Sequence, residues 1–183
     1  MSMPRILALT TAALLIAAPY AAAQSVLAEA LKRHHDGVAR NVVEAAEKMP
    51  EADYGYQASK DVRTFGGFVG HVANANYNFC ARAKGESNPN KEDFEKVTDK
   101  AKLVAAIKAA VSYCDPIYAA QTDAALAEMV AAGPQQTPRG AVLILNASHN
   151  NEHYGNLVTY MRLKGLVPPS TERAQQPKPP GQQ

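Results

Sequence analysis

His149 and His153 are four residues apart, and their spacing is the first feature of this sequence that suggests chemistry. On an α-helix, residues at i and i+4 leave the same face about one turn, or ~6 Å, apart. Imidazole nitrogens at that spacing suit two ligands of one metal ion. The pair therefore predicts a metal site, and the competing interpretation is two unrelated surface histidines.

The helix that carries this pair is expected to run from Thr137 to about Lys164. Thr137 can cap it, and Pro138 suits its first position because the N–H that proline lacks is unpaired there anyway. At the other end, Gly165 suits a helix C-terminus, and the prolines at 168–169 prevent continuation.

One face of this helix places polar residues between apolar ones. At 100° per residue the face holds eight side chains, with Glu152 at its edge: Val142, Leu145, Asn146, His149, His153, Asn156, Leu157 and Tyr160. The apolar flanks indicate that the face is turned inward, where an unpaired polar group costs ~1–3 kcal/mol, and this favours ligation. Asn146, Asn156 and Tyr160 are candidates to orient the ligands, and Glu152 is the candidate general base.

The segment from His149 to His153 also fits the H-x-x-E-H pattern of inverted zinc peptidases. Those enzymes take their third ligand from a glutamate far downstream on another helix. Glu172 is the only glutamate after His153, and it lies in a stretch that is predicted to be a disordered tail. We therefore do not assign peptidase chemistry.

Other helices must supply a third ligand. Apolar periodicity predicts long helices at residues 25–48, 64–83 and from 99 to a kink or end at Pro116, with a weaker alanine-rich segment at 119–131. His71 is the only histidine of the second helix and is the candidate third ligand. The glycines before it, Gly70 among them, allow a close backbone approach. In the first helix, His34 lies on the predicted apolar stripe beside His35 and is interpreted as structural rather than as an additional ligand.

Two cysteines, Cys80 and Cys114, bear on how the helices are connected. In an oxidising compartment the pair invites a disulfide, and two reduced core cysteines are the alternative. A bridge needs Cα atoms within ~7 Å, and the two positions lie at matching heights only if the second and third helices run parallel. The polar connection at residues 84–98 has the length that a parallel crossover needs.

The two ends of the chain differ in composition from its middle. Residues 1–23 have the early arginine, short apolar run and small-residue cleavage site of a secretory signal peptide, with cleavage expected before Gln24. Export to the periplasm or the medium is therefore predicted, and the run is too short to favour stable membrane insertion. Residues 24–167 are expected to form one domain, and residues 168–183, rich in proline and glutamine, a disordered tail.

Two segments resemble the DinB/YfiT-like superfamily of metal-binding four-helix bundles, and specifically its exported members. They are FGGFVGHVANANYNFC in the second helix and SHNNEHYGNLVTYMRLKGLVPPS in the fourth, and the resemblance covers roughly residues 25–170. It implies an all-α four-helix bundle of up-down-down-up topology with a long crossover between helices 2 and 3. It also implies a divalent metal bound by His71, His149 and His153, while Asn156 stands where many members have glutamine.

These features together predict a metal protein. Three imidazoles without a carboxylate suit zinc or nickel and leave a position open for water or substrate. We expect an exported protein with hydrolase-type or transferase chemistry on a small-molecule ligand. The alternatives are a non-catalytic metal-binding or stress-associated bundle, and the thiol-dependent S-transferase or isomerase that the resemblance implies. Removal of the signal peptide takes away one arginine and no acidic residue, so the net charge changes from +2 to +1 and no nucleic-acid partner is expected. The sequence leaves open whether the protein is a homodimer.

Overall fold

Four long helices account for most of the computed structural model, which describes residues 25–131 and 135–177. They are α1 (Val26–Lys48), α2 (Phe65–Lys84), α3 (Lys100–Ala119) and α5 (Arg139–Leu163). The shorter elements are α4 (Asp123–Ala127), α6 (Pro169–Gln175), 3-10 turns at Glu51–Asp53 and Phe94–Lys96, and strands β1 (Met129–Ala131) and β2 (Gln136–Pro138). The predicted signal peptide, residues 1–23, lies outside the described residues.

The long helices form a bundle in which α1 packs against α3 and α5, and α2 packs against the same two helices. α2 and α3 run parallel, because they meet at both ends. Near their starts, Leu103 lies 3.1 Å from the place of a Cβ on Gly66. Near their ends, a disulfide joins Cys80 and Cys114, with 5.5 Å between the Cα atoms. The predicted four-helix bundle is confirmed, and the chain between α2 and α3 is its long crossover.

The core lies between the four long helices. Each contributes fully buried apolar side chains, such as Val42 of α1, Val69 of α2, Ile107 of α3 and Leu157 of α5. Burying each such side chain stabilises the fold by about 1.5–3 kcal/mol. No helix within residues 25–131 and 135–177 is both long and apolar enough to span a membrane.

The start of α5 differs from the prediction. Thr137 does not cap the helix, because it lies in β2 and pairs with Val130 of β1 in a short antiparallel ladder. The helix begins at Arg139, whose backbone N–H donates to the carbonyl of Glu128 at 2.8 Å. Strands of three residues are too short to produce a recognisable alternation, which is why the sequence predicted helix across residues 119–131. The end of α5 is as predicted, with Gly165 at a φ of 71°.

The second half of α1 buries the predicted stripe, including Val38 and Val42, whereas the first half packs through a face one residue away. His34 is exposed, whereas His35 has no exposed surface. The ring of His35 stacks on Tyr118 of α3, with 3.8 Å between centroids and 7° between planes. Leu27, near the start of α1, is 67% exposed, whereas Ala28 beside it is buried. The assignment of His34 to the interior was therefore wrong.

The predicted disorder from residue 168 onward is wrong for Pro169–Gln175, which form α6 against α1. Arg173 binds Glu44 and Asn41, and the hydroxyl of Tyr154 donates to Ser170 at 2.8 Å. Polar contacts to the bundle order a segment that has few apolar residues of its own. Composition alone could not reveal these contacts, and residues 178–183 lie outside the described part of the chain.

We predict that His35→Phe reduces the loss of stability in acid. Burial lowers the pKa of His35 below its ordinary value of 6.5. The charge of Lys32 also lowers this pKa, whereas Asp115 and Asp36 act to raise it. Below about pH 6.5 the unfolded chain binds a proton at His35 that the folded chain does not bind. The free energy of unfolding therefore decreases as the pH is lowered. Phenylalanine keeps a ring against Tyr118 and does not titrate. In urea titrations below pH 6.5, the free energy of unfolding of His35→Phe should decrease less with falling pH than that of the wild type or of the exposed control His34→Phe. The same pH dependence in His35→Phe and in the wild type would refute the prediction.

Candidate metal centre

Three histidines converge where α2 and α5 pack against each other. Nε2 of His149 lies 3.1 Å from Nε2 of His71 and 3.1 Å from Nε2 of His153. The three ligand atoms all lie within 4.8 Å of one another. The structure thus brings together the three residues that the sequence singled out. His71 and His149 are partly exposed, and His153 is buried.

The other ring nitrogens show how two of the imidazoles are oriented. Nδ1 of His71 lies 2.6 Å from Oε1 of Glu95, and Nδ1 of His153 lies 3.1 Å from Oδ1 of Asn156. Both oxygens accept hydrogen bonds, so each Nδ1 carries the proton and each Nε2 presents its lone pair to the common point. Burial, followed by the neighbouring imidazoles, lowers the pKa of His149 to about 4, and burial also lowers the pKa of His153. At neutral pH both are therefore in the neutral form that ligates metals.

This donor set fits a divalent metal ion. Tetrahedral Zn–N bonds of about 2.0–2.1 Å place ligand nitrogens about 3.3–3.4 Å apart, close to the two separations of 3.1 Å seen here. Three imidazole nitrogens this close together can serve as the ligand set of one cation. His71, His149 and His153 would hold the ion, with Glu95 and Asn156 fixing two of the rings.

Glu95 is a site residue that the sequence analysis missed. It lies in the 3-10 turn of the crossover, accepts a hydrogen bond from Nε of Arg63 at 2.8 Å and faces His71. Partial burial acts to raise the pKa of Glu95, but the hydrogen bonds from Arg63 and His71 lower it overall. The turn can sit here because Gly70 has no side chain: a Cβ on it would lie 2.2 Å from the carbonyl oxygen of Phe94. The only sequence signal was the unusual length of the connection.

Three other candidates make no hydrogen bond to the imidazoles. Asn146 is fully buried and donates to the hydroxyl of Tyr118 at 3.1 Å, away from the histidines. The hydroxyl of Tyr160 donates to the carbonyl of Arg63 at 2.7 Å, so it fastens a loop instead of a ligand. Glu152 is exposed and has no side-chain hydrogen bond or ion pair within the described residues. Of the predicted orienting residues, Asn156 is the one in contact with a ligand.

Two buried asparagines hold α2 and α5 in register next to the histidines. Nδ2 of Asn76 donates to Oδ1 of Asn150 at 3.1 Å, and Nδ2 of Asn150 donates to Oδ1 of Asn76 at 3.0 Å. Asn146 adds a hydrogen bond to Asn76 at 3.2 Å. Neither member of the reciprocal pair was among the predicted site residues, because polar residues between apolar positions do not reveal which partners they meet.

The centre is open to solvent on one side. A cleft of about 390 Å³ reaches His71 and His149, and its other walls include Asn78, Phe79 and Asn88. Asn78 is exposed, so its amide is available to a bound molecule. A small molecule in this cleft would meet two of the three imidazoles.

Comparisons with known proteins agree with this geometry. The family model described as "DinB superfamily" matches residues 34–157. A DinB-like protein from Bacillus cereus has 15% identity and a TM-score of 0.68, with 80% of this chain and 97% of that chain covered. A DinB-like protein from Bacillus subtilis has 24% identity and a TM-score of 0.62, with coverage of 75% and 93%.

A more distant structure has the same fold. The H52A mutant of a mycothiol-dependent maleylpyruvate isomerase has 14% identity and a TM-score of 0.59, with coverage of 71% of this chain and 60% of that one. No curated protein matches the chain. These structural likenesses concern the fold.

We predict that Gly70→Ala destabilises the protein and displaces Glu95 from His71. The added methyl would meet backbone atoms of Phe94, which cannot rotate away as a side chain can. The free energy of unfolding should fall by about 1–3 kcal/mol in urea titrations. The control is Gly155→Ala on α5, where a Cβ meets nothing within 4 Å. It should gain about 0.5–1 kcal/mol, and equal effects of the two substitutions would contradict the prediction.

Proposed function

Because the chain belongs to the DinB superfamily, we propose that it is an exported protein that binds one divalent metal ion through His71, His149 and His153. The observation that carries the proposal is the convergence of three Nε2 atoms, with two of the Nδ1 atoms paired to oxygen. An all-nitrogen set of imidazoles suits zinc or nickel better than magnesium or calcium, which prefer oxygen ligands.

We further propose that the centre is catalytic, with hydrolase-type or transferase chemistry on a small molecule. Three protein ligands leave one position free, and the cleft at His71 and His149 gives access to it. A metal ion bound there would supply Lewis acidity and lower the pKa of a coordinated water. The chain's own residues would orient the site: Glu95 holds His71, Asn156 holds His153, and the amide of Asn78 faces the cleft.

Solvent access also distinguishes this proposal from a purely structural metal site. Structural zinc sites have four protein ligands and are closed. Here the described residues supply three histidines, and the aromatic ring of Tyr160 does not cover them, since its hydroxyl is held by Arg63. In a structural role, adding a small metal-binding anion would leave the visible absorption spectrum of the nickel-loaded protein unchanged. Chemistry that appears only with an added low-molecular-weight thiol would instead select a thiol-dependent transferase or isomerase.

Export is supported by the cysteine pair. The disulfide between Cys80 and Cys114 is fully buried between α2 and α3, and such bonds persist in oxidising compartments. Together with the signal-like residues 1–23, this favours the periplasm or the medium over the cytosol.

The metal proposal predicts one equivalent of zinc or nickel in the purified mature protein. His71→Ala, His149→Ala and His153→Ala should each abolish stoichiometric metal, because two remaining imidazoles bind too weakly to survive dialysis. The matched control is His34→Ala, which removes an exposed histidine of α1 and should retain the full equivalent. Elemental analysis by mass spectrometry gives the content, and circular dichroism checks the fold. Retention of metal in all three site variants would refute the proposal.

The export proposal predicts a processed, oxidised protein. When the full chain is produced in a bacterium, intact mass spectrometry of the periplasmic fraction should show a form that begins at Gln24 and is two hydrogen atoms lighter than the dithiol. Cys80→Ser should abolish the mass difference and lower the melting temperature, since a buried bridge is lost. A full-length, fully reduced protein confined to the cytosol would argue against export.

A further inference from the structure

The cleft at the metal centre adjoins a second cleft along α2 and α5, and the two together are called the groove. Phe79 lines the cleft at His149, and it also lines a neighbouring cleft of about 280 Å³. Arg82 and Leu145 line this second cleft, each about one turn further along its helix, away from the histidines. The three-histidine site makes no use of these residues.

Arg82 is the unusual residue of the second cleft. Its Nε is buried without a hydrogen-bond partner, and the side chain makes no ion pair with any described residue. A buried donor left without an acceptor costs ~1–3 kcal/mol. By contrast, Arg139 nearby forms an ion pair with Glu128 at 2.7 Å and donates to the carbonyl of Ala83 at 2.9 Å. No acidic side chain is among the described residues that line the second cleft, and a guanidinium in such a place is suited to pair with a carboxylate.

The surface between Arg82 and the histidines is apolar. The ring of Phe79 lies 5.7 Å from the ring of His149, and the guanidinium of Arg82 lies 6.0 Å from the centre of the same phenylalanine ring. Leu145 lines the second cleft from α5 and is 52% exposed, so its side chain is open to contact with a bound molecule. The groove therefore presents His71 and His149 beside Glu95 in the first cleft, Phe79 and Leu145 as apolar surface, and Arg82 with the polar residues 135–137 in the second cleft.

We infer that this groove binds an elongated small-molecule carboxylate. The carboxylate pairs with Arg82, and the apolar chain lies on Phe79 and Leu145. The opposite end of the molecule reaches the centre formed by His71, His149 and His153. The inference rests on the proposed function for the chemistry at that far end. It assigns the substrate class, namely small molecules with a terminal carboxylate, an apolar spacer and a group that can coordinate a metal.

The carboxylate subsite can be tested without metal. Titration of the metal-free protein with octanoate, followed by NMR, should give at least about tenfold tighter binding than titration with the uncharged octanamide, because the ion pair is charge-assisted. Arg82→Gln should remove this difference, and Arg82→Lys should keep part of it. Arg33→Gln removes an exposed arginine of α1 and should behave as wild type. Equal binding of the two probes to the wild-type protein, or the same preference in Arg82→Gln, would overturn the inference.

A second titration tests the whole groove in the zinc-loaded protein. Suberic monohydroxamate, which has a metal-binding hydroxamate at one end and a carboxylate at the other, should bind about tenfold tighter than octanohydroxamate, and Arg82→Gln should equalise them. Zinc should strengthen binding of both hydroxamates, and His149→Ala should remove that gain. If zinc strengthens binding of both hydroxamates but Arg82→Gln does not change their relative affinities, the carboxylate inference is overturned while the proposed metal function stands. Discrimination by Arg82 without any gain from zinc would instead refute the proposed metal function and support the carboxylate subsite.

Discussion

The axial register between α2 and α5 is the constraint on which the candidate metal centre depends. Imidazoles from two helices meet at one point only if the helices are fixed along their axes to within a fraction of a turn. The reciprocal amide pair of Asn76 and Asn150 provides this restraint, because a shift of either helix would leave buried donors and acceptors unpaired. The disulfide between Cys80 and Cys114 fixes the position of α3 along the bundle axis relative to α2. A buried polar layer thus supports the site next to it.

The parallel arrangement of α2 and α3 has a second consequence for the site. Parallel neighbours cannot be joined by a tight turn, so the chain must return along the bundle before α3 begins. On its way it lies against α2 at Gly70, and the turn at Phe94–Lys96 brings Glu95 to the outer nitrogen of His71. The topology that gives the bundle its connectivity therefore also supplies a group that orients a metal ligand. Arg63 fixes that group from the other side.

Several differences between prediction and structure have one physical origin. His34 and His35 differ by 100° on α1, and the side that packs is decided by the alanines and by the ring of Tyr118 on another helix. Asn146 shares a helical face with the histidines, yet its partners lie in the layer of Asn76. The segment Pro169–Gln175 is ordered by ion pairs to α1. In each case a contact distant in sequence outweighed the local pattern.

The sequence by itself determined the helical class, the bounds of the four long helices to within a few residues, the two-histidine face and the third histidine on α2. These follow from periodicity, caps and breakers, which act over one or two turns. Only the tertiary structure decided that the three Nε2 atoms face one another, that Glu95 and Asn156 hold two of the rings, and that Arg82 is unpaired in the same groove. The reason is that hydrogen bonding and burial depend on which groups meet across helices, and no local pattern encodes those partners.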